Sequence, residues 1–143
     1  MVISSQTVHA TCVALAGQGI LITGPSGSGK SGLALQLMAM GAMLVADDRT
    51  VLTVRDGILI ASAPQAIEGL IEARGVGILT VPFLSEVAVG LCVEMSLAET
   101  ERMPQRKTVT LLDISLPSLH KIDAPYFAAA IHAYITGNTS ETS

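Results

Sequence analysis

Apolar residues arrive in short runs along this chain, and the length and spacing of each run limit what it can form. Val8 to Leu15 and Gly19 to Thr23 are two such runs, parted by Ala16-Gly17-Gln18, and they predict two strands joined by a tight turn. From Ser31 the spacing changes. Leu33, Ala34, Leu37, Met38 and Met40 recur at helical intervals, and Gly41 stands where a left-handed C-terminal cap belongs. Ala42 to Ala46 is again a short apolar run and closes on Asp47-Asp48. Thr50 to Val54 and Ile58 to Ser62 flank Arg55-Asp56-Gly57, whose Asp-Gly pair predicts a hairpin turn.

In the second half, Val87 to Met95 and Thr108 to Ile114 alternate as strands do, and Pro125 to Ile135 predicts a last helix that Gly137 can end. The stretch from Ala63 to Pro82 resists periodic assignment and reads as a loop carrying a strand near Gly77 to Val81. The polar tail from Asn138 is expected to be disordered. These elements predict one α/β domain over residues 1–137 with a mixed, strand-rich sheet, followed by a tail over residues 138–143.

Composition sharpens that picture. A chain of 143 residues has room for one hydrophobic core and not for two domains of about 100 residues each. Half of the residues are hydrophobic and only 14% are charged, against about 25% charged in an average soluble protein, so excess apolar surface and a homo-oligomer are expected. No run approaches the roughly 18 uninterrupted apolar residues of a membrane span. Met1 to Gly29 has no charged residue and so lacks the positive start of a secretory signal, which predicts a cytoplasmic protein. Cys12 and Cys92 lie in apolar stretches without a CxxC pairing and are expected to be buried free thiols. A formal charge of -4, two Phe, two Tyr and no Trp provide neither a basic field nor stacking platforms, so nucleic acid is not an expected partner.

The sharpest chemical signal is Gly24-Pro25-Ser26-Gly27-Ser28-Gly29-Lys30-Ser31, a GxxxxGK[ST] loop between a predicted strand and a predicted helix. A backbone that curls round polyanionic phosphates needs positive φ and bare Cα atoms, which the glycines supply. The helix N-terminus adds partial positive charge, Lys30 is placed to reach the β and γ phosphates, and Ser31 to bind Mg²⁺. A plain Gly/Ser turn before a helix would not need Lys30 beside Ser31.

Asp47 and Asp48 follow the loop after a single helix, much earlier than the second acidic motif of most phosphate-loop hydrolases. Two adjacent carboxylates can divide the work, one holding Mg²⁺ and the other accepting a proton from an attacking hydroxyl. Glu72 and Arg74 alternate on one side of an extended segment that runs into Gly75 and Gly77. They offer a carboxylate for metal and a guanidinium for phosphate charge.

His9, the Gly24 to Ser31 loop, Leu44-Val45-Ala46-Asp47-Asp48 and Glu72 to Ile78, in this order, resemble the catalytic domain of the HPr kinase/phosphorylase family. Weaker similarity continues through Arg102 and Leu116-Pro117. The resemblance implies a nucleotide domain similar to that of phosphoenolpyruvate carboxykinases. It also implies an ATP- and Mg²⁺-dependent kinase, or a kinase and phosphorylase, acting on a serine of the phosphocarrier HPr or a relative in regulation of carbon metabolism or the phosphotransferase system, assembled as a hexamer. Carried over, Lys30 and Ser31 hold phosphate and metal, Asp48 is the general base, and Asp47 and Glu72 support the metal. Arg74 and Arg102 steady phosphate charge, and His9 tunes the catalytic carboxylate. His120 and His132 have no match and are expected to be surface or packing residues. The N-terminal domain of longer members has no counterpart here, and Gly32 stands where many members have an acidic residue. A small-metabolite kinase and a non-enzymatic nucleotide sensor are the competing readings.

Overall fold

The computed structural model describes residues 5–137, so the tail from Asn138 lies outside the described residues. The chain opens with β1 (Ser5–Val8), β2 (Ala10–Leu15) and β3 (Gln18–Thr23), followed by the glycine loop and α1 (Lys30–Ala39). Next come β4 (Met43–Ala46), β5 (Thr50–Arg55) and β6 (Ile58–Ser62). After a short 3-10 turn at Gln65–Ile67 the chain forms β7 (Leu70–Ala73) and β8 (Gly77–Thr80). It ends with β9 (Glu86–Ala98), β10 (Lys107–Leu111), β11 (Ile114–Lys121) and α2 (Phe127–Thr136).

One mixed sheet runs β1-β5-β6-β9-β3-β2-β4, and the β10–β11 hairpin joins it through β11. β9 is the hub. Its start pairs antiparallel with β6 (Ile60 opposite Ala88), its middle runs parallel to β3 (Leu21 opposite Cys92), and β11 also lies parallel to it (Ser118 opposite Cys92). β7 and β8 form a separate two-stranded ribbon.

Both faces of the central strands are covered, and for that reason they read as continuous apolar runs and not as alternating ones. Val13, Ile20, Ile22, Leu44, Leu91 and Val93 face a core closed by Leu37 of α1 and by Phe127 and Ile131 of α2. Cys12, Leu21 and Val45 face a second core with Leu52, Leu59, Val87 and Leu116. Each fully buried Leu or Ile contributes about 1.5–3 kcal/mol. These layers hold the ends of β2, β3 and β4 in fixed register beneath the glycine loop.

Helix α1 stops as its sequence predicts. Ala42 N–H donates to Leu37 C=O and Gly41 N–H to Met38 C=O, both at 3.0 Å, with Gly41 at φ 107. The hairpin between β5 and β6 turns at Asp56 and Gly57, both with positive φ.

Three predicted elements are redrawn. The expected strand over Thr108 to Ile114 is β10, a turn and the first residue of β11, because Leu112 and Asp113 both take positive φ (47 and 65). The irregular Ala63 to Pro82 stretch contains β7 as well as β8, paired from Leu70 opposite Thr80 to Ala73 opposite Gly77. The expected strand over Val8 to Leu15 is broken at His9, since Val8 pairs with Thr50 of β5 whereas Ala10 pairs with Thr23 of β3.

Candidate functional site

The glycine loop leaves β3 at Thr23 and enters α1 at Lys30, with Gly24, Gly27 and Gly29 at φ 148, 82 and 96. These are left-handed conformations that side chains rarely adopt. Above Gly27 an added Cβ would meet nothing within 4 Å, so the loop is open on its outer side. On its inner side Met95 of β9 backs the loop, its Cβ 3.1 Å from where a Gly24 Cβ would stand. Helix α1 starts on Gly29 with no side-chain cap and no acidic residue in its first turn, so its leading N–H groups keep their affinity for anions. Ser28 Oγ is buried and has no hydrogen-bond partner among the described residues. Lys30 is also buried, and its Nζ donates to the carbonyls of Gly24 (2.9 Å) and Pro25 (3.1 Å). An orphaned hydroxyl, an uncapped helix start and an ammonium folded onto its own loop fit a polyanionic guest.

Asp47 is buried at the end of β4 and gathers three donors. Ser31 Oγ donates to Asp47 Oδ1 at 2.6 Å, Thr11 Oγ1 to the same oxygen at 3.0 Å, and Glu72 N–H to Oδ2 at 3.0 Å. The last of these bonds docks the β7–β8 ribbon on the site. Thr11 Oγ1 in turn accepts from Asp48 N–H at 3.1 Å. This single buried hydroxyl therefore positions both carboxylate residues.

Asp48 has φ 68, and the Arg49 N–H donates across it to Asp47 C=O at 2.7 Å, a tight three-residue turn that L residues adopt rarely and under strain. The turn swings Asp48 away from its neighbour. Asp47 points inward to Ser31, whereas the Asp48 carboxylate, 59% exposed, meets His9 Nε2 at 2.6 Å. His9 can face it because the chain changes strand partners at that residue. Thr50 Oγ1, donating to Ala10 C=O at 2.8 Å, pins the crossing. Beside this pair lies a cleft of about 470 Å³ lined by Thr7, Val8, His9, Ser26, Asp48 and Arg49.

The structure brings together His9, the Gly24 to Ser31 loop, Asp47, Asp48 and the backbone of Glu72. The Glu72 side chain is exposed on β7, and Arg74 is exposed just beyond that strand. Arg102 is exposed in the connection between β9 and β10. Among the described residues, neither arginine makes a salt bridge or side-chain hydrogen bond to the carboxylates. Sequence reasoning missed Thr11 and Arg49. For Thr11 a signal was present, a hydroxyl two positions after His9 inside an otherwise apolar strand.

Comparison with known proteins gives the family and the fold. The family model described as HPr Serine kinase C-terminal domain matches residues 2–120. The chain belongs to this family. The HPr kinase/phosphorylase of Geobacillus thermodenitrificans is 38% identical over 125 residues, covering 78% of this chain and 40% of that protein. That of Clostridium tetani is 48% identical over 77 residues, covering 54% of this chain and 25% of that protein. The chain thus spans about 40% of the length of the first of these relatives. The solved HPr(Ser) kinase/phosphatase of Coxiella burnetii superposes with a TM-score of 0.77 at 28% identity, over 91% of this chain and 93% of that one. The strand-rich α/β architecture is therefore that of the HPr kinase fold.

Two expectations outside the site also hold. Cys12 and Cys92 are buried free thiols. Burial, with Cys92 adding to it, pushes Cys12 up to about 12, and burial beside Glu94 pushes Cys92 up to about 11. His120 is a packing residue, with Nε2 3.2 Å from Glu94 Oε2 on the neighbouring strand. No helix among the described residues is long and apolar enough to cross a membrane.

Proposed function

We propose that this chain is an ATP- and Mg²⁺-dependent protein serine kinase acting on HPr or a related phosphocarrier. The observation that carries the reading is the division of labour between neighbours: Asp47 is bonded to Ser31 at the phosphate loop, and Asp48 is bonded to His9 at the open cleft. In this reading Gly24, Pro25, Ser26, Gly27, Ser28 and Gly29 wrap the phosphates with their backbone. Lys30 exchanges its two carbonyl partners for phosphate oxygens. Ser31 and Asp47 would hold the metal, with Glu72 at the rim. A hydroxyl beside one carboxylate suits Mg²⁺, an ion that relies on one or two protein ligands plus substrate phosphates. When bound, the metal would neutralise charge on the β and γ oxygens.

Asp48 accepts the proton of the acceptor serine while that hydroxyl oxygen bonds to the γ-phosphorus and the bond to ADP breaks. His9 fixes the carboxylate for this step. Arg74 and Arg102 supply cationic charge when substrate is in place. The exposure of Asp48 and His9, 59% and 46%, supports an acceptor as large as a protein over a small metabolite enclosed in a pocket. Exposed Val76, Ile78 and Met103 support self-association, in keeping with the apolar composition. Sedimentation at micromolar concentration should give a mass above the 14.8 kDa monomer, and a monomer would remove this part of the proposal.

The test of the function is incubation with labelled ATP, Mg²⁺ and purified HPr. Label on an HPr serine is the expected result. Nucleotide hydrolysis without label on protein would refute the kinase reading.

A further inference from the structure

The tight turn at Asp48 has a second side chain on its outer flank. Arg49 lines the same cleft as Asp48, His9 and Ser26. Its N–H closes the turn onto Asp47 C=O at 2.7 Å, so the backbone bond that aims Asp48 also fixes where Arg49 leaves the chain. The other wall is Thr7 and Val8, at the end of β1.

The chain has eight Lys and Arg residues. Arg55 is paired with Glu86, Lys107 with Glu99, and Lys30 is folded into the glycine loop. Among the described residues Arg49 makes no salt bridge, yet it is the cation of the cleft that also holds Asp48. A guanidinium presents a rigid fork of donors that matches paired oxygens, and charge-assisted bonds of this kind are roughly twice as strong as neutral ones. Lys30 is folded onto the phosphate loop, whereas Arg49 lines the open cleft beside Asp48, the side from which an acceptor reaches that carboxylate.

We infer that Arg49 is the specificity residue for the acceptor: its guanidinium takes a carboxylate of the protein segment carrying the serine and so presents that serine to Asp48. The inference rests on the kinase reading above. Arg49 acts in this way on binding of the acceptor and not on the nucleotide or the proton transfer. Removing it raises the acceptor KM and leaves the nucleotide affinity alone.

The experiment is steady-state phosphorylation of purified HPr by the wild-type chain, Arg49→Gln and Arg49→Lys, with Arg55→Gln as a surface control, and nucleotide affinity measured on all four. Arg49→Gln should raise the KM for HPr by about tenfold or more, the scale of a lost charge-assisted bond, while kcat at saturating HPr changes far less. Arg49→Lys should recover part of the KM, since it keeps the charge and loses the fork. An unfolded variant would betray itself by lost nucleotide affinity, and Arg49→Lys then carries the comparison. Equal KM values for wild type and both Arg49 variants would overturn this inference and leave the kinase reading standing. A fall in kcat with KM unchanged would overturn it as well, by placing Arg49 in the chemical step. If the wild-type chain transfers nothing to HPr and does not bind it, the kinase reading falls and the inference falls with it.

Discussion

Thr11 Oγ1, fully buried on β2, donates to Asp47 Oδ1 at 3.0 Å and itself accepts from Asp48 N–H at 3.1 Å. The inner carboxylate and the strained turn that carries the outer one are thereby tied to a central strand of the sheet. Two carboxylates in the turn after β4 would otherwise be free to shift, and a general base, the role proposed for Asp48, is effective only within hydrogen-bond reach of its proton.

Thr11→Val keeps the shape and removes the hydroxyl. It leaves Asp48 N–H without its partner and Asp47 with one donor fewer, so unfolding free energy in urea should fall by about 1–3 kcal/mol. Transfer should fall with it, and Thr11→Ser should restore most of both. A Thr11→Val protein with wild-type stability and rate would show that the bridging hydroxyl positions nothing.

Lys30→Ala should weaken nucleotide binding and transfer together, because the ammonium would contact phosphate in the ground state and in the transition state alike. Titration with a fluorescent ATP analogue checks this. Unchanged affinity would remove Lys30 from the phosphate site.

The thiols provide a pH test of the fold. Cys12 and Cys92 stand near 12 and 11, above the usual thiol range, chiefly because burial disfavours the thiolate. The neutral thiols are therefore favoured in the folded state. Unfolded thiols ionise as pH rises through the ordinary thiol range, between about 8 and 9, while the folded ones stay neutral, so the two thiols make the fold progressively less stable as pH rises from there towards 11 and 12. Native protein at pH 8 should accept almost no iodoacetamide, and urea-unfolded protein should be modified at both sites within minutes, as read by mass spectrometry. Fast native labelling at pH 8 would contradict the burial of the two central strands.

Much of the site was legible because its elements are local. The glycine loop, helix α1, its Gly41 cap and the Asp-Gly hairpin each carry their signal within a few residues, and all appear as predicted. What escaped depends on partners distant in sequence. Nothing in the periodicity of Val8 to Leu15 says that the chain changes sheet partners at His9, from β5 before it to β3 after it. The β10–β11 turn was hidden because Leu112 takes positive φ, a conformation that turn rules assign to Gly and Asn. β7 was legible only as the extended segment of Glu72 and Arg74, because a four-residue strand ending before Arg74 and Gly75 carries too few positions to fix its bounds or its pairing with β8. Thr11 showed only as a hydroxyl in an apolar strand, because its role lies in one acceptor, Asp47, and one donor, Asp48 N–H, more than thirty residues away.

The central claim is the split between Asp47 and Asp48, and the most direct measurement is the rate of phosphoserine formation on HPr as Mg²⁺ is raised, for Asp48→Asn beside Asp47→Asn. Asn keeps the size of the side chain and cannot take the hydroxyl proton. Asp48→Asn should keep nucleotide affinity and lose about 10²-fold or more of the rate, with no recovery at high Mg²⁺. Asp47→Asn should lose rate that returns as Mg²⁺ rises, since a weakened metal site can be filled by mass action. Recovery of Asp48→Asn with Mg²⁺, or full activity in both variants, would contradict the account.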